Sequence, residues 1–279
     1  MIIWLSSYPK SGNTILRALL ASYLFTNDGI FNFELLKNIQ QFPDTSLFKN
    51  QGIDVSNDEE VLKNYIKVQE IINKVDQNRI RLLKTHSTLH DVGGYPFTNL
   101  SNTLGVIHIV RDPRNVINSY ANHYQETLDE AVVSMTRFKI LVGTKGKITT
   151  HLGSWDSHYN VWKTFNNSNK YLLVKYEDLL KDKKKKIIEI LKFFHSITNT
   201  KFVLDEAKLN NAIETTSFEK MKALENKIGF PEAVKNKNNE TINFFNLGPK
   251  NDWVKILPES IKSKIEKAFK KEMEELGYL

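Results

Sequence analysis

MIIWLSSYPKSGNTILRALLASYLF, residues 1–25, decides how the rest of the chain is read. Met1–Ser6 is a short, nearly continuous apolar run, the pattern of a strand buried on both faces. Ser7–Thr14 (SYPKSGNT) is built largely from residues that allow tight backbone turns. Ile15–Phe25 then has apolar residues at most helical positions, and only Arg17, Ser22 and Tyr23 offer polar groups. A strand, a loop containing Gly and Ser, and a buried helix make the phosphate cradle of a P-loop fold. Backbone N–H groups and the helix N-terminus point at an anion. The loop is nevertheless not a standard Walker A. Laid on G-x-x-x-x-G-K-[ST], Ser7 takes the first glycine position, Gly12 the second and Thr14 the hydroxyl position. Asn13 stands where the lysine belongs, and the lysine has moved back to Lys10.

Working outward, Asn27–Gly52 reads as a short helix and loops that cover the mouth of a site, with Phe31, Phe33, Phe42 and Phe48 among polar residues. Ser56–Glu59 fits a capping box, and the apolar spacing after it predicts one helix over 57–77. Arg79–Lys84 and Leu104–Val110 predict the next two strands, and Pro113 suits the first turn of a helix running to about Tyr124. Thr127–Val142 reads as helix, broken at Gly143–Gly146. A helix follows Ser154, with Trp155, Tyr159 and Trp162 on one face. Tyr171–Tyr176 is a strand leading into a basic amphipathic helix that ends near Phe194. Leu204–Thr215 and Ser217–Leu224 read as short helices, Phe230–Asp252 as a long mobile segment, and the last helix starts at Pro258. Strands alternating with helices call for an α/β fold: one domain, 1–279, with a mostly parallel sheet flanked by helices.

In an open parallel sheet, ligands sit at the carboxyl ends of the strands. The residues there are Lys10, Ser11, Gly12, Asn13 and Thr14, then Lys84 and His86, then Arg111 with Ser119 two helical turns on, then Tyr176.

Taken together, these stretches resemble the sulfotransferases that use 3′-phosphoadenosine 5′-phosphosulfate (PAPS). YPKSGNT is similar to the family's 5′-phosphosulfate loop, and LLKTHSTLH (82–90) resembles its K-T-H segment. VIHIVRDPRNVINSYANHY (106–124) resembles the 3′-phosphate segment, with Arg111 and Ser119 in the family's spacing. GSWDSHYNVW (153–162), KYEDLLKD (175–182) and TSFEKM (216–221) match further stretches in order. The resemblance implies PAPS as co-substrate, no metal, and a small-molecule acceptor bearing a hydroxyl or amine. It implies His86 as general base with Lys10 and Lys84 beside the transferring group. It places the nucleotide on Lys10, Ser11, Gly12, Asn13, Thr14, Ile15, Arg111, Ser119, Tyr176, Thr216, Ser217, Phe218 and Gly248.

The chemistry supports those roles. An acceptor hydroxyl must lose a proton, and an imidazole with a pKa near ~6.5 suits that at neutral pH. Lys10 can stabilise charge building on a leaving phosphate oxygen. Lys84, two residues from His86, lies on the same side of an extended segment. His158 reads either as a pocket residue or as packing with Trp155 and Trp162, and the other histidines receive no role. One departure stands out. The family's C-terminal loop carries Arg-Lys before Gly, but FFNLGPKNDW (244–253) has Asn246 and Leu247 there, leaving Lys250, Lys235 or Lys237 to supply the missing charge. Two other readings remain: a P-loop small-molecule kinase, which the loss of the Walker lysine opposes, and a non-catalytic protein that binds 3′,5′-ADP.

Composition sets outer bounds. The chain of 279 residues has 25% charged residues and a net charge of +7, which suits an anionic ligand. Lys183–Lys186 reads as a solvated helix turn rather than a nucleic-acid or lipid patch. No cysteine is present, which excludes disulfides and thiolate chemistry. No run approaches the ~20 apolar residues of a membrane span, and no basic leader precedes the first strand, so a cytoplasmic protein without a membrane anchor is expected. Oligomeric state is open.

Overall fold

The computed structural model of the chain describes residues 1–75, 80–141, 148–236 and 238–279. Its centre is a four-stranded parallel sheet of β1 (Ile2–Ser6), β2 (Arg81–Thr85), β3 (Thr103–Val110) and β6 (Tyr171–Lys175), in the order β2-β1-β3-β6. A small antiparallel pair, β4 (Lys139–Leu141) with β5 (Thr150–Gly153), lies between β3 and β6 in the chain. A second pair, β7 (Val234–Lys235) with β8 (Thr241–Ile242), follows later.

All five residues of β1 are buried because both sheet faces are covered. Ile3 and Leu5 pack on one face with α1 (Asn13–Phe25), Ile107 and Ile109 of β3, and Ile187, Ile190 and Leu191 of the Lys183–Ile197 helix. Ile2 and Trp4 point to the other face, into Phe42, Phe97, Val106 and Trp162. The period of two along β1 thus feeds two separate cores. α1 is buried all round from Asn13 to Tyr23, as a central helix must be. A third core joins the Pro113–Tyr124, Trp155–Lys163 and Glu259–Ala268 helices through Ile117, Tyr120, Trp155 and Ile265, with Phe269 at the break before the last helix, Lys270–Glu275.

The parallel register carries all four carboxyl ends to one edge of the sheet. Ser6 lies opposite Thr85 and His108, and Val110 opposite Lys175. The next residues in the chain, Ser7, His86, Arg111 and Tyr176, therefore leave the sheet side by side.

Three local expectations need correcting. The helix expected over 57–77 is two, Asp58–Lys63 and Tyr65–Val75, and its cap is Asn57, whose side chain accepts from the Glu60 N–H. Ser56 spends its hydroxyl on Asp54 Oδ1 instead, and the Asn64 side chain bonds the Glu60 carbonyl at the break. The helix expected over 127–142 is Leu128–Thr136, after which Arg137 turns extended and the chain enters β4. The segment 230–252 is not free chain: Phe230, Phe244 and Phe245 pack together and onto Phe33. Arg79, the break expected at 143–146 and Lys237 lie outside the described residues. Among the described residues, no helix is long and apolar enough to cross a membrane.

Candidate active site

A cavity of about 1190 Å³ opens at that carboxyl edge. Its floor is the loop between β1 and α1. Gly12 sits at φ +102 and caps α1 with no side-chain hydrogen bond, so the first N–H groups of the helix are left to a ligand. A Cβ on Gly12 would stand 2.3 Å from the Tyr176 ring, so glycine is required there for space as well as for φ. Lys10 adopts the left-handed region, φ +65, a conformation uncommon for a non-glycine residue. Asn13, at the Walker lysine position, turns inward: its amide donates to the Leu5 carbonyl at 3.0 Å and to Ser7 Oγ at 3.1 Å. A lysine would break that brace.

His86 leaves β2 directly against the loop. Its Nδ1 lies 2.8 Å from the Ser7 carbonyl oxygen, with Ser7 Oγ at 3.2 Å. A carbonyl only accepts, so Nδ1 carries the proton and Nε2 keeps its lone pair. Burial, reinforced by the Lys84 ammonium, holds the imidazole well below its usual pKa, so it is neutral at pH 7. Lys10, half-buried, rests its Nζ 3.9 Å above the Phe244 ring, and its pKa is lowered to about 8 by burial and by Lys84 and Arg111.

Lys84 is almost fully buried, and its Nζ donates to Glu232 Oε2 at 3.0 Å. The other oxygen of Glu232 accepts from Arg17 Nη1 at 2.5 Å, while Arg17 Nη2 binds the Leu36 carbonyl at 2.9 Å. Burial alone would raise the Glu232 carboxyl, but Lys84 and Arg17 outweigh it and bring the pKa to about 2.

Against the β1–α1 loop Arg111 stacks 4.4 Å over Tyr176 and donates to the Lys10 carbonyl at 3.2 Å, and its Nε is buried without a partner. Arg114 contrasts with it. Its guanidinium is spent on Asp112, Glu266 and the Tyr278 carbonyl and lies 3.8 Å over Trp253. Ser119 Oγ accepts from Asn251 Nδ2 at 3.0 Å, an amide that also donates to the Asn115 carbonyl. Gly248 packs so closely on Phe218 that a Cβ would lie 2.4 Å from its ring.

Of the residues expected at the site, Lys10, Gly12, Asn13, Thr14 and Ile15 line the cavity, as do Lys84, His86, Arg111 and Ser119. Tyr176, Phe218 and Gly248 line it too. Ser11, Thr216 and Ser217 are not among its lining residues. The Ser11 hydroxyl is buried without a partner. Thr216 bonds the Ala212 carbonyl at 2.6 Å, and Ser217 caps the Phe218–Ile228 helix. Lys250 and Lys235 are not cavity residues either. Lys183 is, and it adds a cation to the cavity that Asn246 and Leu247 also line. That corrects the reading of its basic run as wholly solvated.

Among the other histidines, His158 is buried between Tyr8, His108 and Trp162 and is a packing residue. His108 bonds Tyr171 Oη at 2.9 Å, and His151 bonds Asp58 at 3.0 Å. His123 does line the cavity, one turn after Ser119, with its pKa brought down to about 3 by burial and then by Lys10 and Lys84. Arg17, Glu232, Lys183 and His123 are site residues that the sequence reading missed.

The donor set fits an anionic nucleotide: an uncapped helix start, the Arg111 Nε without a partner, and Lys10, Arg17, Lys84, Arg111 and Lys183 among the cations of one cavity. Comparison with known proteins agrees with this. A model of the sulfotransferase domain matches residues 2–277. Sulfotransferase 1A1 of Bos taurus is 27% identical over 254 residues, covering 89% of this chain and 75% of its own length. Flavonol 3-sulfotransferase of Flaveria bidentis is 24% identical over 271 residues, covering 95% and 79%. Among solved structures, a mouse sulfotransferase complexed with PAP is similar at TM-score 0.58 and 19% identity, over 98% of this chain and 84% of its own. Retinol dehydratase in complex with androsterone and inactive cofactor PAP is similar at TM-score 0.61 and 18% identity, over 98% and 80%; at these identities the two structures establish the fold. With a family model matching it from Ile2 to Gly277, the chain belongs to the sulfotransferase family.

Proposed function

We propose that the chain transfers the sulfuryl group of PAPS to a hydroxyl or amine of a small-molecule acceptor, with His86 as the general base. The observation that carries this reading is the His86 imidazole. It is pinned through Nδ1 to the Ser7 carbonyl, which leaves Nε2 unprotonated, and it lines the cavity that Lys10 and Lys84 share. Geometry precedes pKa in choosing a base, and the alternatives are worse placed. Glu232 is doubly ion-paired, and Asp44 is engaged as the cap of the Thr45–Lys49 helix.

In this reading Nε2 takes the proton of the acceptor hydroxyl as its oxygen attacks sulfur. Lys10 stabilises the negative charge left on the departing phosphate oxygen, and Lys84 faces the sulfonate. The bare N–H groups of α1 and Thr14 hold the 5′-phosphate. Arg111, with its unspent Nε, and Ser119 hold the 3′-phosphate, and Lys183 adds charge to the cavity, where the Arg-Lys pair is absent. Phe218 and Tyr176 flank the nucleotide base. The acceptor is of the class that the solved retinol dehydratase complexes hold, as retinol or androsterone. Its side of the cavity includes Pro43, Tyr124, Leu141, Ile148 and Thr150, a mixed wall of apolar and hydroxyl groups.

The nucleotide class is tested by thermal unfolding. At about 100 times its Kd, 3′,5′-ADP is expected to raise Tm by about 5 °C or more. Magnesium-ATP at the same concentration is expected to raise it less. The opposite order favours a kinase and sinks the proposal.

A further inference from the structure

Two residues that follow the Phe218–Ile228 helix, Glu232 and Phe244, hold Lys84 and Lys10. Glu232 bridges Lys84, on β2, and Arg17, on α1, at 3.0 and 2.5 Å. Twelve residues later in the chain, Phe244 lies under the Lys10 ammonium at 3.9 Å. Phe244 is itself held from behind. Glu225, on the Phe218–Ile228 helix, accepts the Phe244 and Phe245 N–H groups at 2.7 and 3.0 Å.

We propose that Glu232 is a positioning residue for the transfer reaction: it fixes the Lys84 ammonium beside His86 and offsets the crowding of positive charge around Lys10. The inference rests on the function proposed above.

Its placement separates it from an ordinary structural ion pair. Both partners are nearly sealed from water, with side chains 4% and 7% exposed, whereas the Glu232 side chain is 30% exposed and lines the cavity. The carboxylate thus stands between the ligand space and two buried cations. A lysine has a flexible four-carbon stem and gains a defined direction only from a partner. With Glu232 on one side, the remaining two protons of the Lys84 ammonium are directed elsewhere.

The charge around Lys10 depends on several elements. Lys84 from β2 and Arg111 after β3 oppose its protonation, Glu225 and Glu232 favour it, and the His123 imidazole from the Pro113–Tyr124 helix is neutral. Deleting the Glu232 charge leaves Lys84 and Arg111 opposing the Lys10 cation, with Glu225, which binds backbone rather than a cation, as the carboxylate still favouring it.

Two substitutions divide position from charge. E232Q removes the charge, and E232D keeps it but withdraws it by one methylene. Affinity for 3′,5′-ADP is measured by titration calorimetry as pH rises through about 8, the value at which Lys10 loses its proton in the wild type. In E232Q the alkaline fall in affinity moves to lower pH, and in E232D it stays where the wild type has it. Both variants lose about 10- to 10²-fold in kcat as the ammonium shifts. An E232Q fall that overlays the wild type, or an E232D variant with wild-type kcat, overturns the proposal. If E232Q does not fold, the E232D kcat decides. The affinity arm needs no turnover, so a wild type that binds 3′,5′-ADP without transferring sulfate overturns the function and leaves this arm decisive.

Discussion

His86→Ala lowers kcat for sulfuryl transfer by about 10²- to 10⁴-fold, the usual contribution of a positioned base, and leaves affinity for 3′,5′-ADP nearly unchanged. The separation of effects follows from the geometry. His86 hydrogen-bonds the phosphate loop through the Ser7 carbonyl and hydroxyl. The loop keeps its shape without it, because Asn13 ties Leu5 to Ser7 from the other side. The base itself is already neutral far below the ordinary histidine range, since burial and then Lys84 disfavour its proton. A base must be unprotonated to act, so the wild-type rate shows no acid limb near ~6.5. Steady-state kinetics of the variant, with nucleotide binding measured beside it, checks the pair of effects. Full activity in His86→Ala removes the base assignment.

Lys10→Ala damages both turnover and nucleotide affinity. The backbone at this position is already left-handed with a non-glycine residue, so alanine adds no new strain at φ +65. What is lost is the cation. Removing one preorganised donor costs about 10²- to 10³-fold in kcat, and here the same group also attracts the bound phosphate. The wild type carries an internal control. Lys10 is a cation below about 8 and neutral above, so nucleotide affinity falls as pH rises through that value. Titration calorimetry on Lys10→Ala should find weaker binding at pH 7 and no such fall. An unchanged affinity with the fall intact places the responsible group elsewhere.

Much of this was legible in one sequence because it lies in short, contiguous signals. Residues 1–25 carry strand, turn residues and an apolar helix in order, and the four parallel strands are apolar runs between helical patterns. The polar residues just after those strands then share an edge by topology alone. The displaced lysine is explained only by the structure: Asn13 spends its amide inside the loop, and Lys10 comes to lie over Phe244.

What escaped is long-range. Glu232 sits in a stretch without periodicity, and its two ion pairs span 215 and 148 residues. Nothing local announces such a contact. Lys183 looks like any lysine of a solvated helix until the fold places it on the cavity wall. His123 did leave a signal: it follows Ser119 by four residues, which puts both on one helix face. The β4–β5 pair was hidden because Thr127–Val142 satisfies a helical apolar spacing up to Met135, and the strand that follows has only three residues.

The central claim is that this cavity passes a sulfuryl group from PAPS to an acceptor whose proton goes to His86. The most direct test supplies PAPS and a panel of phenols, alcohols and amines to the purified chain and to His86→Ala, and quantifies sulfated product against 3′,5′-ADP. Equal amounts of the two products are expected from the wild type, and loss of both from the variant while it still binds nucleotide. A wild type that binds 3′,5′-ADP yet sulfates no member of the panel, or a variant that matches it in rate, contradicts the account.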